Sequence, residues 1–372
     1  MSSSEKRKIL VRPDLQPALE ILRREFRRGR LTLYLGAGVS WDSGLPNWNT
    51  LIATLYYGAI AADWKPKWEA FPNYLYALGE WVLTKSGQPP EVIVGKIESY
   101  YESNKELAKQ LNDTLYLQWK EPTQTDSHIV VPSARQLRVD NRLLDAVVKL
   151  CEQSTVDKGG LHAVVTTNYD SLLEQALSGG PGQNRFEPIW KAAVKLPSRK
   201  KGIFHVHGYL PAAGSGSSYE EIMLTEAQYH SAASDPYSWS NLTLIQCFAA
   251  STGLMIGMSM TDRNLRRLLY ALHRTQLREK QYVILKAPEV PTMTDCDILE
   301  VDERARTHAQ RFPGSGLKKA NKTEKDMPDL LRELVRQEKI MAEDALVSMG
   351  VTPLWVQQYD DIPVIVEAVG TT

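Results

Sequence analysis

The chain has only three cysteines in 372 residues, Cys151, Cys247 and Cys296, and they stand far apart. That excludes a disulfide framework, and without a C-x-x-C pair it excludes the usual spacing of a zinc site. The thiols read as those of a cytosolic protein. No run approaches the ~20 apolar residues of a membrane span. The first residues, MSSSEKRKIL, lack the apolar core of a signal peptide. An excess of either charge is missing too, since 44 Lys and Arg balance 44 Asp and Glu. That balance gives no general grip on nucleic acid or an anionic membrane, and it favours association over repulsion. The expectation is a soluble cytoplasmic protein inclined to form a homo-oligomer, with no membrane partner and no strong nucleic-acid signal.

What is present is organised around Leu31–Trp48, LTLYLGAGVSWDSGLPNW. Leu31 to Leu35 reads as a buried strand, and Gly36-Ala37-Gly38 follows as a tight turn. Strand, glycine turn and helix is how an α/β protein offers backbone N–H groups to a phosphate. On this reading Gly36 and Gly38 stay bare so that a pyrophosphate can approach. The G-x-G-x-x-G spacing is incomplete, because Trp41 stands where the third glycine belongs. A turn without a ligand fits the same residues.

Asp14 is expected to cap a first helix running to about Arg28. Residues 51–140 show helical periodicity and no alternating strand pattern, so they read as a helical insertion. Within them, Glu121 to Ser133 reads as a loop. From 141 the α/β rhythm returns. Further strands are expected at Leu161–Val165, Ile203–Val206, Gly253–Gly257, Tyr282–Leu285 and Pro353–Val356, with a short one at Ile222–Thr225. Asp262 reads as the cap of a helix over 263–277. The fold class is α/β, a Rossmann-like, doubly wound parallel sheet. Residues 1–50 and 141–372 form its core, with 51–140 inserted.

Polar groups collect at the C-terminal ends of these strands: Asn168 and Asp170, His207, Gly257 and Ser259, beside the glycine turn. In an open α/β sheet that edge binds ligands. Each residue alone also fits a cap, a turn or a buried histidine bonded to backbone. Their joint placement at one edge is the stronger signal. His205 lies two residues before His207, which puts both on one side of the strand; it reads as structural.

These pieces resemble the sirtuin family: GAGVS with SGLP (Gly36 to Pro46), TTNYD (Thr166 to Asp170), HG (His207-Gly208) and GMS (Gly257 to Ser259). The zinc-ribbon cysteines of the deacetylases are absent. Thr167 replaces their glutamine, and Asn47-Trp48 stands where they carry Asp-Phe-Arg. TTNYD with a helical insertion in place of a zinc module is similar to the sirtuin-like proteins of bacterial anti-phage defence. The resemblance implies an NAD glycohydrolase with NAD as substrate and no metal, working in an assembly with a partner such as a HerA-like ATPase. It implies His207 as general base, Asn168 orienting ribose hydroxyls or water, and Asp170 supporting the nicotinamide ribose. Gly36, Ala37, Gly38, Ser40, Pro46 and Thr167 would receive the dinucleotide, with Gly257 and Ser259 on the adenosine side. A protein deacylase and a non-catalytic NAD- or ADP-ribose-binding subunit are the alternatives. The enzymatic reading requires Asn168 and His207 to face one cleft, with open space above Gly36.

Overall fold

The computed structural model describes residues 13–68, 72–101, 104–121, 128–155, 159–192, 194–311 and 327–371. Its centre is a seven-stranded sheet. We number the strands β1 (Leu31–Leu35), β2 (Leu161–Thr166), β3 (Phe186–Ile189), β4 (Lys201–His205), β5 (Thr252–Ile256), β6 (Gln281–Lys286) and β7 (Val351–Val356). Their order is β3-β4-β2-β1-β5-β6-β7, and every pairing is parallel. From β1 the chain passes through β2 to the edge strand β3 and returns with β4 between them, then crosses over to β5 and builds outward on the other side. The direction reverses between β1 and β5, the position where α/β sheets form their ligand crevice.

Both faces of the sheet are covered, so the central strands are apolar throughout rather than alternating. All five residues of β1 and of β5 are buried. Leu33, Leu35, Val164, Ile203 and Leu254 point into one core, and Tyr34, Val165 and Met255 into the other. The first core is closed by α1 (Gln16–Arg27), α7 (Arg142–Gln153), α8 (Leu172–Leu177) and α14 (Asp361–Val369). The second is closed mainly by α10 (Trp239–Ala250) and α11 (Arg263–Thr275). Tyr34 stacks on Phe248 there, with ring centroids 4.7 Å apart.

Between β1 and α7 the chain forms α2 (Trp48–Trp68), α3 (Pro72–Ser86), α4 (Pro90–Ile97), α5 (Asn104–Leu115) and α6 (Ala134–Asp140). Ile52, Val94 and Leu111 continue the first core into this block. The remaining helices are α9 (Glu226–Ser234), α12 (Asp295–Arg311) and α13 (Met327–Ser348).

Four local expectations need correction. β3 is a strand that the sequence pattern hides: it is four residues long, contains Pro188 and lies at the sheet edge, where a missing N–H is tolerated. Ile222–Thr225 is not a strand; it leads into α9, where Thr225 and Gln228 form a capping box. The first helix begins at Gln16, after a 3₁₀ turn Pro13–Leu15, with Leu15 rather than Asp14 at its N-cap. The stretch read as a loop from Glu121 holds a short antiparallel pair, Lys120–Glu121 with His128–Ile129, and its residues 122–127 lie outside the described residues.

Candidate active site

The glycine turn lies against the turn that follows β5. Gly36 N–H donates to Ile256 O, and Gly38 N–H donates to Gly257 O, both at 3.0 Å. A Cβ on Gly36 would stand 2.6 Å from Gly257 O and 2.7 Å from Met258 Cγ; one on Gly38 would stand 2.8 Å from Gly257 Cα. Gly257 has φ +66° and would meet Val39 N at 2.7 Å. These glycines are therefore required by backbone-to-backbone packing of two turns. The expectation that Gly36 and Gly38 offer free N–H groups to a phosphate is corrected, and so is that of open space above Gly36: the Gly257 carbonyl and the Met258 side chain fill its Cβ side, and a ligand at this turn would have to lie over Ala37 and Gly38 instead. Ala37 and Gly38 are nevertheless exposed at the sheet edge.

Asn168 is fixed on every side but one. Its N–H donates to Thr166 Oγ1 at 3.0 Å. Its Nδ2 donates to Gly36 O and to Ser40 Oγ, each at 3.1 Å. A backbone carbonyl only accepts, so the amide orientation follows from the network. Both Nδ2 hydrogens are engaged, and among the described residues nothing donates to Oδ1. Asn168 thus presents an acceptor, half-buried, at the strand ends.

Ser40 Oγ passes its own hydrogen to Asp170 Oδ2 at 2.8 Å, and Asp170 Oδ1 accepts Leu172 N–H at 3.1 Å. Asp170 and Ser40 are buried. Burial pushes the Asp170 carboxyl up from its ordinary range, while Ser40 and the Leu172 N–H pull it back. Both oxygens are engaged inside the protein. Ser40 and Asp170, expected to face the dinucleotide, are thus buried and tied to each other, with Ser40 also bonded to Asn168.

His205 belongs to the same group. Its Nδ1 lies 3.1 Å from Asn168 O and its Nε2 2.7 Å from Glu174 Oε1. A cavity of about 20 Å³ lies among Ser40, Asn168, Asp170, Glu174 and His205. That is room for about one water, far below the ~300–1,000 Å³ of a ligand pocket. It lies beneath Asn168, among the side chains that hold it.

His207 goes elsewhere, so the expectation that it shares the side of His205 is corrected. Past the end of β4, its Nε2 lies 3.4 Å from Asp262 Oδ2, and its ring stands edge-on to Tyr229 with centroids 6.0 Å apart. Burial lowers its pKa from the ordinary value, and the Asp262 carboxylate opposes that shift. Gly208 follows with φ +110°, its Cβ position 3.0 Å from Ile222 Cα. Asn168 and His207 make no direct contact among the described residues, but their loops are clasped. Tyr169 hydroxyl donates to Met223 O at 2.7 Å, Met223 N–H donates to His207 O at 2.8 Å, and Leu210 N–H donates to Tyr169 O at 2.7 Å.

The other expected residues lie around this edge. Thr167 is half-buried, and its N–H donates to Leu35 O at 3.1 Å. Pro46 is half-buried in the loop before α2. Ser259 is exposed, its Oγ 2.7 Å from Thr261 Oγ1. The sequence reading missed two supports. Asn141, fully buried, caps α7 through Leu144 N–H and donates from Nδ2 to Val39 O at 2.8 Å and Ser43 Oγ at 2.9 Å. Glu174 lies four residues past Asp170, on the helix that carries it back to His205. An asparagine before an amphipathic run was the visible signal for the first; the second had none.

Two groups of strand-end residues, one around Asn168 after β2 and one around His207 after β4, therefore sit at the C-terminal edge of a parallel sheet, and Asp262 reaches His207 from beyond β5. Residues 162–309 match the SIR2-like domain. That segment holds Thr166–Asp170, His207-Gly208 and Gly257–Asp262, and the domain implies NAD-related activity. The chain is also similar to the uncharacterized protein y4cA of Sinorhizobium fredii (strain NBRC 101917 / NGR234), 26% identical over 152 residues. The match covers 39% of this chain and 12% of that protein, so the chain spans a small part of the relative it matches. Among the described residues no helix is long and apolar enough to cross a membrane.

Proposed function

We propose that this protein is an NAD glycohydrolase that cleaves NAD to nicotinamide and ADP-ribose. The observation that carries the reading is the state of Asn168. Its carboxamide hydrogens are tied down by Gly36 and Ser40, and its Oδ1 is left as an acceptor at the sheet edge of a SIR2-like domain. NAD carries cationic nicotinamide on C1′ of a ribose. Cleavage passes through an oxocarbenium-like state, as in glycoside hydrolysis. The C1′–N bond breaks and its electron pair neutralises the nicotinamide ring. Water oxygen bonds to C1′, and its proton leaves to a base.

In this reading Asn168 Oδ1 accepts from a ribose hydroxyl and holds the sugar. His207 takes the proton from water, at an imidazole whose unperturbed pKa is near working pH. Ala37, Gly38 and Thr167 face the dinucleotide at the crevice. The resemblance to anti-phage sirtuin-like proteins supports a role as a defence effector, active as a homo-oligomer or with a HerA-like ATPase partner.

The test is incubation of the full chain with NAD, with and without an acyl-lysine peptide and with a HerA-like ATPase, following nicotinamide by chromatography. Release without peptide supports the hydrolase. Release that requires peptide makes the protein a deacylase. Binding without release under every condition makes it a non-catalytic subunit.

A further inference from the structure

Asp262 has two oxygens and two kinds of partner. Oδ1 caps α11 by accepting Leu265 N–H at 2.6 Å. A cap uses one oxygen. Oδ2 faces away from the helix: His207 Nε2 lies 3.4 Å from it, and the Tyr229 hydroxyl donates to it at 3.4 Å. His207 is only 6% exposed, so its ring has few alternatives. A carboxylate accepts and never donates, so the ring nitrogen that faces it carries the hydrogen. In a neutral imidazole the other nitrogen is then the bare acceptor.

We infer that Asp262 is a positioning residue, whose Oδ2 holds the Nε2 hydrogen of His207 and leaves Nδ1 as the atom that takes the proton from water. The inference rests on the hydrolase reading of this site. In the step itself, water oxygen bonds to C1′, the C1′–N bond breaks toward nicotinamide, and one water proton moves to Nδ1. The ring becomes an imidazolium, with its second N–H directed at a carboxylate. Without that partner, the neutral ring divides between tautomers, and burial opposes the charge it must gain. At 3.4 Å the pair is an ion-pair contact that falls short of hydrogen-bond geometry. Catalytic contacts in ligand-free sites commonly tighten only in the complex.

Two variants separate positioning from capping. Asp262→Ser keeps the cap, because serine caps about as well as aspartate, but its hydroxyl is too short to hold His207 as well. Asp262→Asn keeps cap and shape and removes the charge. The expected result for both is a kcat for nicotinamide release lower by about 10²-fold or more. KM for NAD stays within about twofold, and the melting temperature stays near that of the parent. With ¹⁵N-histidine labelling, the parent shows His207 as the Nε2–H tautomer, and Asp262→Ser shows a mixture. Full kcat in Asp262→Ser, or an unchanged tautomer spectrum, overturns the inference. Absence of nicotinamide release from the parent overturns the hydrolase reading instead, and the spectrum still decides whether Asp262 sets the hydrogen on His207. If Asp262→Ser does not fold, Asp262→Asn carries the same kinetic comparison.

Discussion

Asn168 gives both hydrogens of its carboxamide to the loop after β1, one to Gly36 O and one to Ser40 Oγ, each at 3.1 Å. The side chain at the centre of the proposed chemistry is thus oriented by a strand other than its own. Asn168→Ala removes the acceptor and leaves the buried Gly36 carbonyl and Ser40 hydroxyl without their donor. The expected outcome is nicotinamide release lower by about 10²-fold or more, with a cooperative melt retained. Asn168→Asp should be worse for stability, because a carboxylate oxygen would face the Gly36 carbonyl. Melting temperature and single-turnover release, measured together, check both. Full activity in the alanine variant would remove Asn168 from the mechanism.

Gly257→Ala tests the packing of the two turns. Its φ of +66° and the 2.7 Å approach to Val39 N leave no room for a methyl group. A loss of about 1–3 kcal/mol is expected from forced overpacking. Gly58→Ala in α2 is the control, with nothing within 4 Å of the new atom. It should gain up to about 1 kcal/mol of helix propensity. Urea midpoints moving in opposite directions meet the expectation; similar shifts refute it.

With His207 as the proposed base, both turnover and stability are expected to depend on pH. Burial holds its pKa below the ordinary 6.5, against the pull of Asp262. The charged and titratable groups facing it are Asp262 from the N-terminus of α11 and Tyr229 from α9. As the proposed base it works unprotonated, so kcat/KM should fall on the acid side with a midpoint below the ordinary histidine value. For stability, the unfolded chain binds this proton more readily than the folded one. The contribution is whole above the unfolded value and is lost as pH falls through the window below it. His207→Gln should flatten that part of the melting profile; an unchanged slope contradicts the assignment.

Asn141→Ala should loosen the glycine turn from behind. It removes the cap of α7 and leaves the Val39 carbonyl without its donor. Together these cost about 2–3 kcal/mol. Asn141→Ser restores the cap alone and should recover only part of the loss. Thermal melts of the two variants decide this; equal losses would show that the link to Val39 contributes nothing.

Much of the sheet could be read from the chain because its strands are apolar on both faces. β1 and β5 had no competing helical pattern, and each ended in a glycine. β3 gave no such pattern, being short, proline-containing and half-buried at an edge. The ligand edge was legible as a set of strand ends, but the direction of each side chain was not. Asp170 looked like a ligand residue because it stands with Asn168 just past the end of a strand. In the fold it turns under Ser40, which comes from a strand over a hundred residues earlier. Asp262 looked like a cap and is one; its second oxygen became informative only when α11 was set beside the end of β4. Such pairings depend on which elements become neighbours, and local spacing does not encode that.

The seam between the Gly36–Gly38 turn and Gly257 leaves no slack, because main chain rests on main chain and the Met258 side chain closes the remaining space beside Gly36. The two wings of the sheet are therefore riveted together at the point where the strand order reverses. Any widening of the entrance must come from parts that flank the seam, such as the helices that follow Pro46 or the glycine- and serine-rich stretch after Leu210. A partner protein that governs access would act on those flanks, while the floor between the wings stays rigid.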